Sequence, residues 1–184
     1  MGILPVTLYG DKILRKKAKK IEKIDNPVIK LIGDMFETMR NADGMGLAAN
    51  QVGSDSSLFI IDLSLVKGYE KLKPMVFINP KIIGQSEEES LVEEGCLSIP
   101  DIRAKIKRPE AIKIVYNDPE LKEHTLEADK LLARVIQHEY DHLQGIFFTD
   151  RLDDETLKRY KKSLLKIKNR KIEIDYPVTP KNVY

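Results

Sequence analysis

The chain has little of several features that define common protein classes. It contains one cysteine, Cys96, in 184 residues, so no disulfide can form within it. Its 31 Lys and Arg residues nearly balance 29 Asp and Glu residues, for a formal net charge of +2, which argues against DNA as a partner. We find no transmembrane run, no secretory segment and no myristoylation signal. We therefore expect a protein of the reducing cytoplasm that has no membrane contact.

Histidine is also scarce, but its placement is informative. Two of the three histidines lie in the run Gln137-His138-Glu139-Tyr140-Asp141-His142. In a helix, His138 and His142 lie about 40° apart on one face, so both imidazoles can reach one metal ion. Glu139 lies about 60° from His142, within reach of a water on that metal. This H-E-x-x-H pattern is typical of metal-assisted hydrolysis with the Glu as general base. The alternative is a pair of hydrogen-bonded helix histidines.

The pattern of apolar residues predicts one α+β domain over residues 1–184. We expect a core over 1–170 and a tail over 171–184 that is extended or disordered. Helices are predicted from Asn26-Pro27, with Asn26 as N-cap, over about 130–144, and from Asp153. Strands are predicted over 58–61, 102–107 and 112–116, and over 75–78 with Pro74 and Pro80 as its bounds. Because most strands precede the middle helix without βαβ alternation, α+β is favoured over α/β.

A third metal ligand has to come from elsewhere in the chain, because hydrolytic sites usually have three protein ligands and a water. The third histidine of the metzincin pattern would fall at Phe148, so that pattern fails. A thermolysin-like glutamate, Glu155 or Glu173, lacks a second helical motif to orient it. Cys96 is the better candidate, because a thiolate binds zinc or ferrous iron well. Taken alone, Cys96 is better read as a small buried hydrophobe, and it is the H-E-x-x-H helix without another good ligand that reverses this preference.

Three segments together resemble the motifs of peptide deformylases. Residues 44–51 read G-M-G-L-A-A-N-Q and resemble the family's G-x-G-L-A-A-x-Q. Residues 94–98 read E-G-C-L-S and resemble its E-G-C-L-S motif, and residues 137–142 resemble its Q-H-E-x-D-H motif. The resemblance implies an α+β fold in which antiparallel sheets surround the helix with the histidines, followed by a C-terminal helix. It also implies hydrolysis of the formyl group from the N-terminal formyl-methionine of new proteins, with release of formate.

The resemblance also implies roles for individual residues. Glu139 would be the general acid and base, and Gln51 and the Leu97 backbone N–H would stabilise the oxyanion. Gly46 would pair with the substrate backbone. The metal would be typically Fe²⁺, with Zn²⁺, Ni²⁺ or Co²⁺ able to replace it. Its ligands would be Cys96, His138 and His142. Met45 is assigned to the substrate site with Gly46. Because they lie near the metal residues in sequence or on the helix stripe, Leu97, Leu131 and Val135 are nominated for the methionine pocket.

Several supporting contacts are expected around this site. Metal-bound histidines usually donate their second N–H to a carboxylate, and Asp141 is the nearest candidate in sequence. Glu94 and Arg103 are expected to pair and to brace the loop with Cys96. Arg134, one helical turn before the first histidine, is a candidate for the pocket rim.

Two rival functions and one further partner remain open. A metalloendopeptidase would share the H-E-x-x-H chemistry but act on internal peptide bonds. A non-enzymatic protein would need a closed site of four protein ligands, and no fourth ligand is evident. The predicted third helix is rich in lysine, which is typical of a solvated helix face. The alternative is contact with ribosomal RNA, since the implied substrate emerges from the ribosome.

Overall fold

The computed structural model describes residues 2–181. Residues 182–184, which belong to the predicted tail, lie outside the described part. The helices of the described part are α1 (Asn26–Asn41), α2 (Lys130–Leu143) and α3 (Asp154–Lys168). Its strands are β1 (Gly46–Ala48), β2 (Leu58–Ile61), β3 (Met75–Gln85), β4 (Glu89–Cys96), β5 (Ile99–Pro109), β6 (Ala111–Asn117) and β7 (Glu123–Asp129). Short 3₁₀ helices span Lys12–Arg15, Ala49–Val52 and Phe148–Arg151.

The strands form two antiparallel sheets, which confirms the α+β prediction. One sheet has five strands in the order β1-β2-β3-β6-β7, and the other is the β4-β5 hairpin. Along β5 every second residue is buried, from Ile102 through Ala104 and Ile106 to Arg108. This period of two puts one face of the hairpin against the protein and the other against solvent.

Helix α2 is the central element of the fold. Its buried apolar side chains pack against the five-stranded sheet, while charged side chains of the hairpin reach its other side. The cluster on the sheet side includes Phe59, Ile61, Phe77, Ile114, Ala133, Ile136 and Leu143. Because the helix is enclosed on both sides, the polar residues in its second half are buried as well. This burial sets the chemistry of the site.

The tail extends along the core rather than away from it. Ile172, Ile174, Tyr176 and Val178 pack against the cluster formed by β5, α3 and the N-terminal segment. Val178 forms a parallel bridge with Val6. None of the helices in residues 2–181 is both long enough and apolar enough to cross a membrane.

Some predicted boundaries were wrong. The N-cap of α1 is Asp25, not Asn26, and its carboxylate accepts a hydrogen bond from the Val28 N–H at 3.2 Å. Pro80 lies inside β3, because a register shift between Ile78 and Lys81 accommodates it. Three strands were not predicted because they are short or rich in charge. They are β1, β4 and β7.

Candidate metal centre and active site

The second half of α2 supplies two histidines and a glutamate. His138 and His142 are 9 % and 1 % exposed, and their rings stack edge to face with centroids 5.0 Å apart. Glu139 is 4 % exposed. The helix ends at Leu143, and Gly145 follows with φ of 76°, a conformation that glycine often adopts just after a helix. Because the two histidines are four residues apart, both imidazole rings lie on the same face of α2 and can reach the same position.

Cys96 completes a group of three ligand atoms. It is the last residue of β4, and its Sγ lies 3.1 Å from the Nε2 of His142. The ligand atoms of Cys96, His138 and His142 all lie within 4.8 Å of one another. One sulfur and two imidazole nitrogens are a donor set suited to Zn²⁺, Fe²⁺, Co²⁺ or Ni²⁺ rather than Mg²⁺ or Ca²⁺. The residues present therefore fit a single transition-metal ion.

The orientation of His138 depends on Glu94. The Nδ1 of His138 lies 2.9 Å from Glu94 Oε2, which leaves Nε2 on the side of Cys96. Arg108 donates to both oxygens of Glu94, at 2.7 and 3.0 Å, and Arg134 donates to Oε1 at 3.0 Å. Burial alone would raise the pKa of Glu94, but these partners hold it well below its usual range. Glu94 is therefore an anion that orients His138.

Two expected contacts were wrong. Asp141 binds Arg108 at 2.6 Å and Arg151 at 2.7 Å instead of a metal-site histidine. Arg103 does not pair with Glu94, because it lies opposite Gly95 in the hairpin register and its side chain covers that glycine. Neighbouring residues of a strand point to opposite faces, so Glu94 points inward to Arg108. Arg134 lines the cavity as expected, although it is only 4 % exposed.

Glu139 has an unusual environment for a carboxylate. Its Oε2 is buried and has no hydrogen-bond partner among the described residues. Burial raises the pKa of Glu139 to about 7, although the positive charge of a protonated His138 would oppose this shift. A general acid and base works best when its pKa lies near the working pH. Glu139 is therefore suited to accept and return a proton.

Gln51 is held in a fixed orientation near the sulfur. It lies in the 3₁₀ helix Ala49–Val52, and its Oε1 accepts the backbone N–H of Ala48 at 2.8 Å. This contact turns Nε2 toward Ser98 Oγ at 3.2 Å and Cys96 Sγ at 3.5 Å. The adjacent Asn50 donates to the carbonyl of His142 at 2.5 Å, which ties this segment to α2. A side-chain donor thus lies beside the candidate metal ligands.

One cavity of about 370 Å³ brings the predicted site residues together. Its lining includes all of them except His142, which lies buried behind the others. Leu131 and Val135 are on its wall, while Met45 is 42 % exposed at the cavity. The walls also include Arg103 and Tyr176. The cavity therefore combines an apolar wall, a metal-binding group and a buried carboxylate, as a small-ligand site requires.

Comparison with known proteins agrees with this geometry. The family model described as polypeptide deformylase matches residues 3–158. The chain belongs to the polypeptide deformylase family. A peptide deformylase of Prosthecochloris aestuarii is 47 % identical over 180 residues, covering 98 % of this chain and 96 % of the relative.

Solved peptide deformylases have the same fold. The plant peptide deformylase PDF1B is 36 % identical with a TM-score of 0.85, covering 91 % of this chain and 90 % of that one. The peptide deformylase of Synechococcus elongatus, solved in complex with actinonin, is 40 % identical with a TM-score of 0.79. The match covers 91 % of this chain and 87 % of that one. The protein is thus a metal-dependent hydrolase that deformylates nascent peptides.

Arg108 is the main deformylase-site residue that the sequence interpretation missed. It is 1 % exposed and links Glu94 of the hairpin to Asp141 of α2. A signal was present, because Arg108 continues the inward-facing series of Ile102, Ala104 and Ile106 along β5. A charge on the buried face of a strand indicates a buried partner.

Gly46 allows a test of how closely the deformylase site is packed. A Cβ at this position would lie 2.6 Å from Glu139 Oε1 and 2.8 Å from its Cγ. These distances are too short for a real contact, so Gly46→Ala should displace the Glu139 side chain, which borders the cavity. A misplacement of about 1 Å can lower the rate about 100-fold, and we expect kcat to fall by that order. Steady-state kinetics on a formyl-methionyl peptide measures the effect.

Gly84→Ala is the matched control for this substitution. A Cβ there would meet only the Cβ of Lys113, at 3.5 Å, which is an ordinary contact. Kinetic constants should equal those of the wild type. If Gly46→Ala is as active as Gly84→Ala, the close packing of Glu139 against residue 46 does not matter for catalysis.

Proposed function

We propose that Cys96, His138 and His142 bind one divalent metal ion and that Glu139 transfers the proton during deformylation. The observation that carries this proposal is the group of three ligand atoms within 4.8 Å of one another, beside a buried carboxylate whose Oε2 has no described partner. We infer that the ion is Fe²⁺ in the cell and that Zn²⁺, Ni²⁺ or Co²⁺ can replace it. Mixed thiolate and imidazole ligands are compatible with all four ions, and the choice of Fe²⁺ rests on the family resemblance.

The bound metal would supply Lewis acidity, which makes water a nucleophile at neutral pH. Glu139 accepts a proton from the attacking water and returns it to the nitrogen of the leaving amine. Water and the formamide thereby become formate and a free amino terminus. Glu94 keeps the imidazole of His138 in the required orientation throughout, because its own charge is held by Arg108.

The formyl oxygen gains negative charge during the attack, and two donors are placed to stabilise it. One is Nε2 of Gln51, whose orientation is set by the Ala48 N–H on its Oε1. The other is the backbone N–H of Leu97, next to Cys96 in the chain. One such donor contributes about 2.7–4 kcal/mol to the transition state. An amide suits this task because it does not ionise.

The substrate chain would lie along Gly46 and Met45, with its methionine side chain against the apolar wall. Gly46 has no side chain, so a peptide backbone can approach it and pair as an added strand. Leu131 and Val135 supply the apolar surface on the same side of α2 as His138. A cavity of about 370 Å³ has room for an unbranched side chain of this size.

An assay combined with metal analysis tests the proposal. The protein is purified without oxygen, its metal is quantified, and formyl-methionyl and acetyl-methionyl peptides are compared. We expect formate from the first peptide alone, loss of activity on chelation, and recovery with Fe²⁺. Metal-loaded protein that releases no formate would refute the proposal, and cleavage of casein would favour an endopeptidase instead.

We also propose that the chain forms a single domain and that the protein acts in the cytoplasm.

A further proposal is that α3 contacts the ribosome. Support for this contact comes from the lysines of α3, which are exposed and could bind the phosphates of ribosomal RNA. Alanine at Lys158, Lys161 and Lys162 should weaken co-sedimentation with ribosomes at low salt. Alanine at Lys67, Lys71 and Lys73, which are exposed elsewhere, is the control. Equal co-sedimentation of both variants would refute the contact.

A further inference from the structure

The turn between β4 and β5 carries both Cys96 and Leu97, and its backbone is irregular. Leu97 and Ser98 connect Cys96 to its partner Ile99, and the register shifts between Gly95 and Cys96. Two-residue hairpin loops usually adopt turns with positive φ, which match the twist of the strands. Neither Leu97 nor Ser98 has a positive φ. The two strands of the hairpin therefore do not favour this turn conformation by themselves. We infer that contacts from other parts of the chain stabilise it.

Three hydrogen bonds from other parts of the chain hold the turn. The backbone N–H of Tyr9 donates to the Ser98 carbonyl at 2.8 Å, and Nε2 of Gln51 donates to Ser98 Oγ at 3.2 Å. The third comes from the tail, where the hydroxyl of Tyr176 donates to the Leu97 carbonyl at 2.6 Å. Among these, only the Tyr176 bond acts on Leu97 itself.

The tail around Tyr176 is firmly attached, so it can hold the turn. The Val6 N–H donates to the Pro177 carbonyl at 2.8 Å, and the Thr179 N–H donates to the Val6 carbonyl at 3.0 Å. The hydroxyl of Thr179, a residue that is 2 % exposed, lies 3.0 Å from Asp11 Oδ2. The ring of Tyr176 forms part of the cavity wall. A residue 79 positions from Leu97 in sequence is thereby made part of the site.

We propose that Tyr176 is a positioning residue for deformylation, and that it acts by restraining the backbone conformation of Leu97. Its hydroxyl binds the carbonyl of the peptide group between Leu97 and Ser98. The Leu97 N–H belongs to the preceding peptide group, which is joined to this one at the Leu97 Cα. Restraining the carbonyl therefore limits the backbone conformations of Leu97, and in this way keeps its N–H directed toward the oxyanion. The inference rests on the oxyanion role proposed above for Leu97. Tyr176 lies beyond residues 3–158, the part of the chain that the family model matches.

Tyr176→Phe removes the hydroxyl and keeps the ring on the cavity wall. One hydrogen bond of this kind corresponds to about a three- to tenfold change in rate. We expect kcat to fall by about that factor, with KM and bound metal unchanged. The unfolding midpoint should fall no further than in Tyr160→Phe, which loses the same kind of bond. A short and a longer formyl-methionyl peptide should be affected equally, because the effect acts on the oxyanion donor and not on substrate contacts.

Tyr160→Phe is a matched control. The hydroxyl of Tyr160 donates to the Arg103 carbonyl at 2.7 Å, so it makes the same kind of bond to the same hairpin away from the turn. Its kcat should equal that of the wild type. Equal kcat in Tyr176→Phe, Tyr160→Phe and the wild type would overturn the inference. So would a loss of metal in proportion to kcat, or a rise in KM confined to the longer peptide. If the wild type itself released no formate, the proposed function would fail together with the inference.

Discussion

Replacing Glu139 with alanine is expected to abolish nearly all deformylation while the metal remains bound. General acid and base groups contribute about 10²–10⁴ in rate, so kcat should fall by at least 100-fold. The metal should remain, because Glu139 does not belong to the group of three ligand atoms. Formate release and metal content, measured on the same preparation, check both halves of this prediction.

Glu155→Ala is the control for the loss of a carboxylate. Glu155 is exposed at the start of α3 and pairs with Arg159 at 2.6 Å. Glu155 was also one of the two glutamates considered as a third metal ligand. Unchanged kcat and metal content in Glu155→Ala would show that it is not a ligand. Loss of metal from Glu139→Ala would show that Glu139 acts as a ligand, contrary to the role proposed.

Of the substitutions proposed for this protein, Arg108→Ala is expected to cause the largest loss of stability. Arg108 bridges Glu94 and Asp141, and all three side chains are at least 90 % buried. Removing one member of a buried ion pair costs about 3–5 kcal/mol, because the remaining charge is left in an environment that solvates it poorly. The free energy of unfolding in urea should fall by this amount. Bound metal should also fall, because Glu94 would orient His138 less well.

Arg159→Ala is the matched control, since it also removes an arginine that pairs with a glutamate. Its partner Glu155 is 81 % exposed and Arg159 is 70 % exposed, so water solvates both charges. Little change in stability is expected there. If Arg108→Ala were as stable as Arg159→Ala, the buried network would not be what holds the hairpin to α2.

Much of the fold followed from local patterns because those patterns reflect local physics. The helical spacing of apolar residues predicted α2 and α3, and both helices begin close to the predicted residues. The prediction succeeds because apolar spacing and capping act within a few residues of one another. Strand β4 was missed because three of its eight residues are glutamates, and alternate residues of a strand on the surface face solvent. Pro80 was misread as a boundary, because only the pairing of β3 with β6 decides where a register shift can accept it.

Contacts between distant segments of the site could not be predicted from the sequence. The pairing of Glu94 with Arg103 was wrong because hairpin register is a property of two strands together. Once Gly95 lies opposite Arg103, Glu94 has to face inward. The role of Tyr176 was likewise absent from the sequence interpretation, because it depends on where the tail packs.

The sequence by itself determined the chemistry of this protein. The four-residue spacing of His138 and His142 puts them on one face of any helix, and the motif around Cys96 predicts a third ligand by resemblance. Tertiary structure decided how those groups are held. Only packing brings Glu94 and Arg108 under His138, Gly46 against Glu139 and Tyr176 onto Leu97. These contacts join distant segments, so no local pattern of residues encodes them.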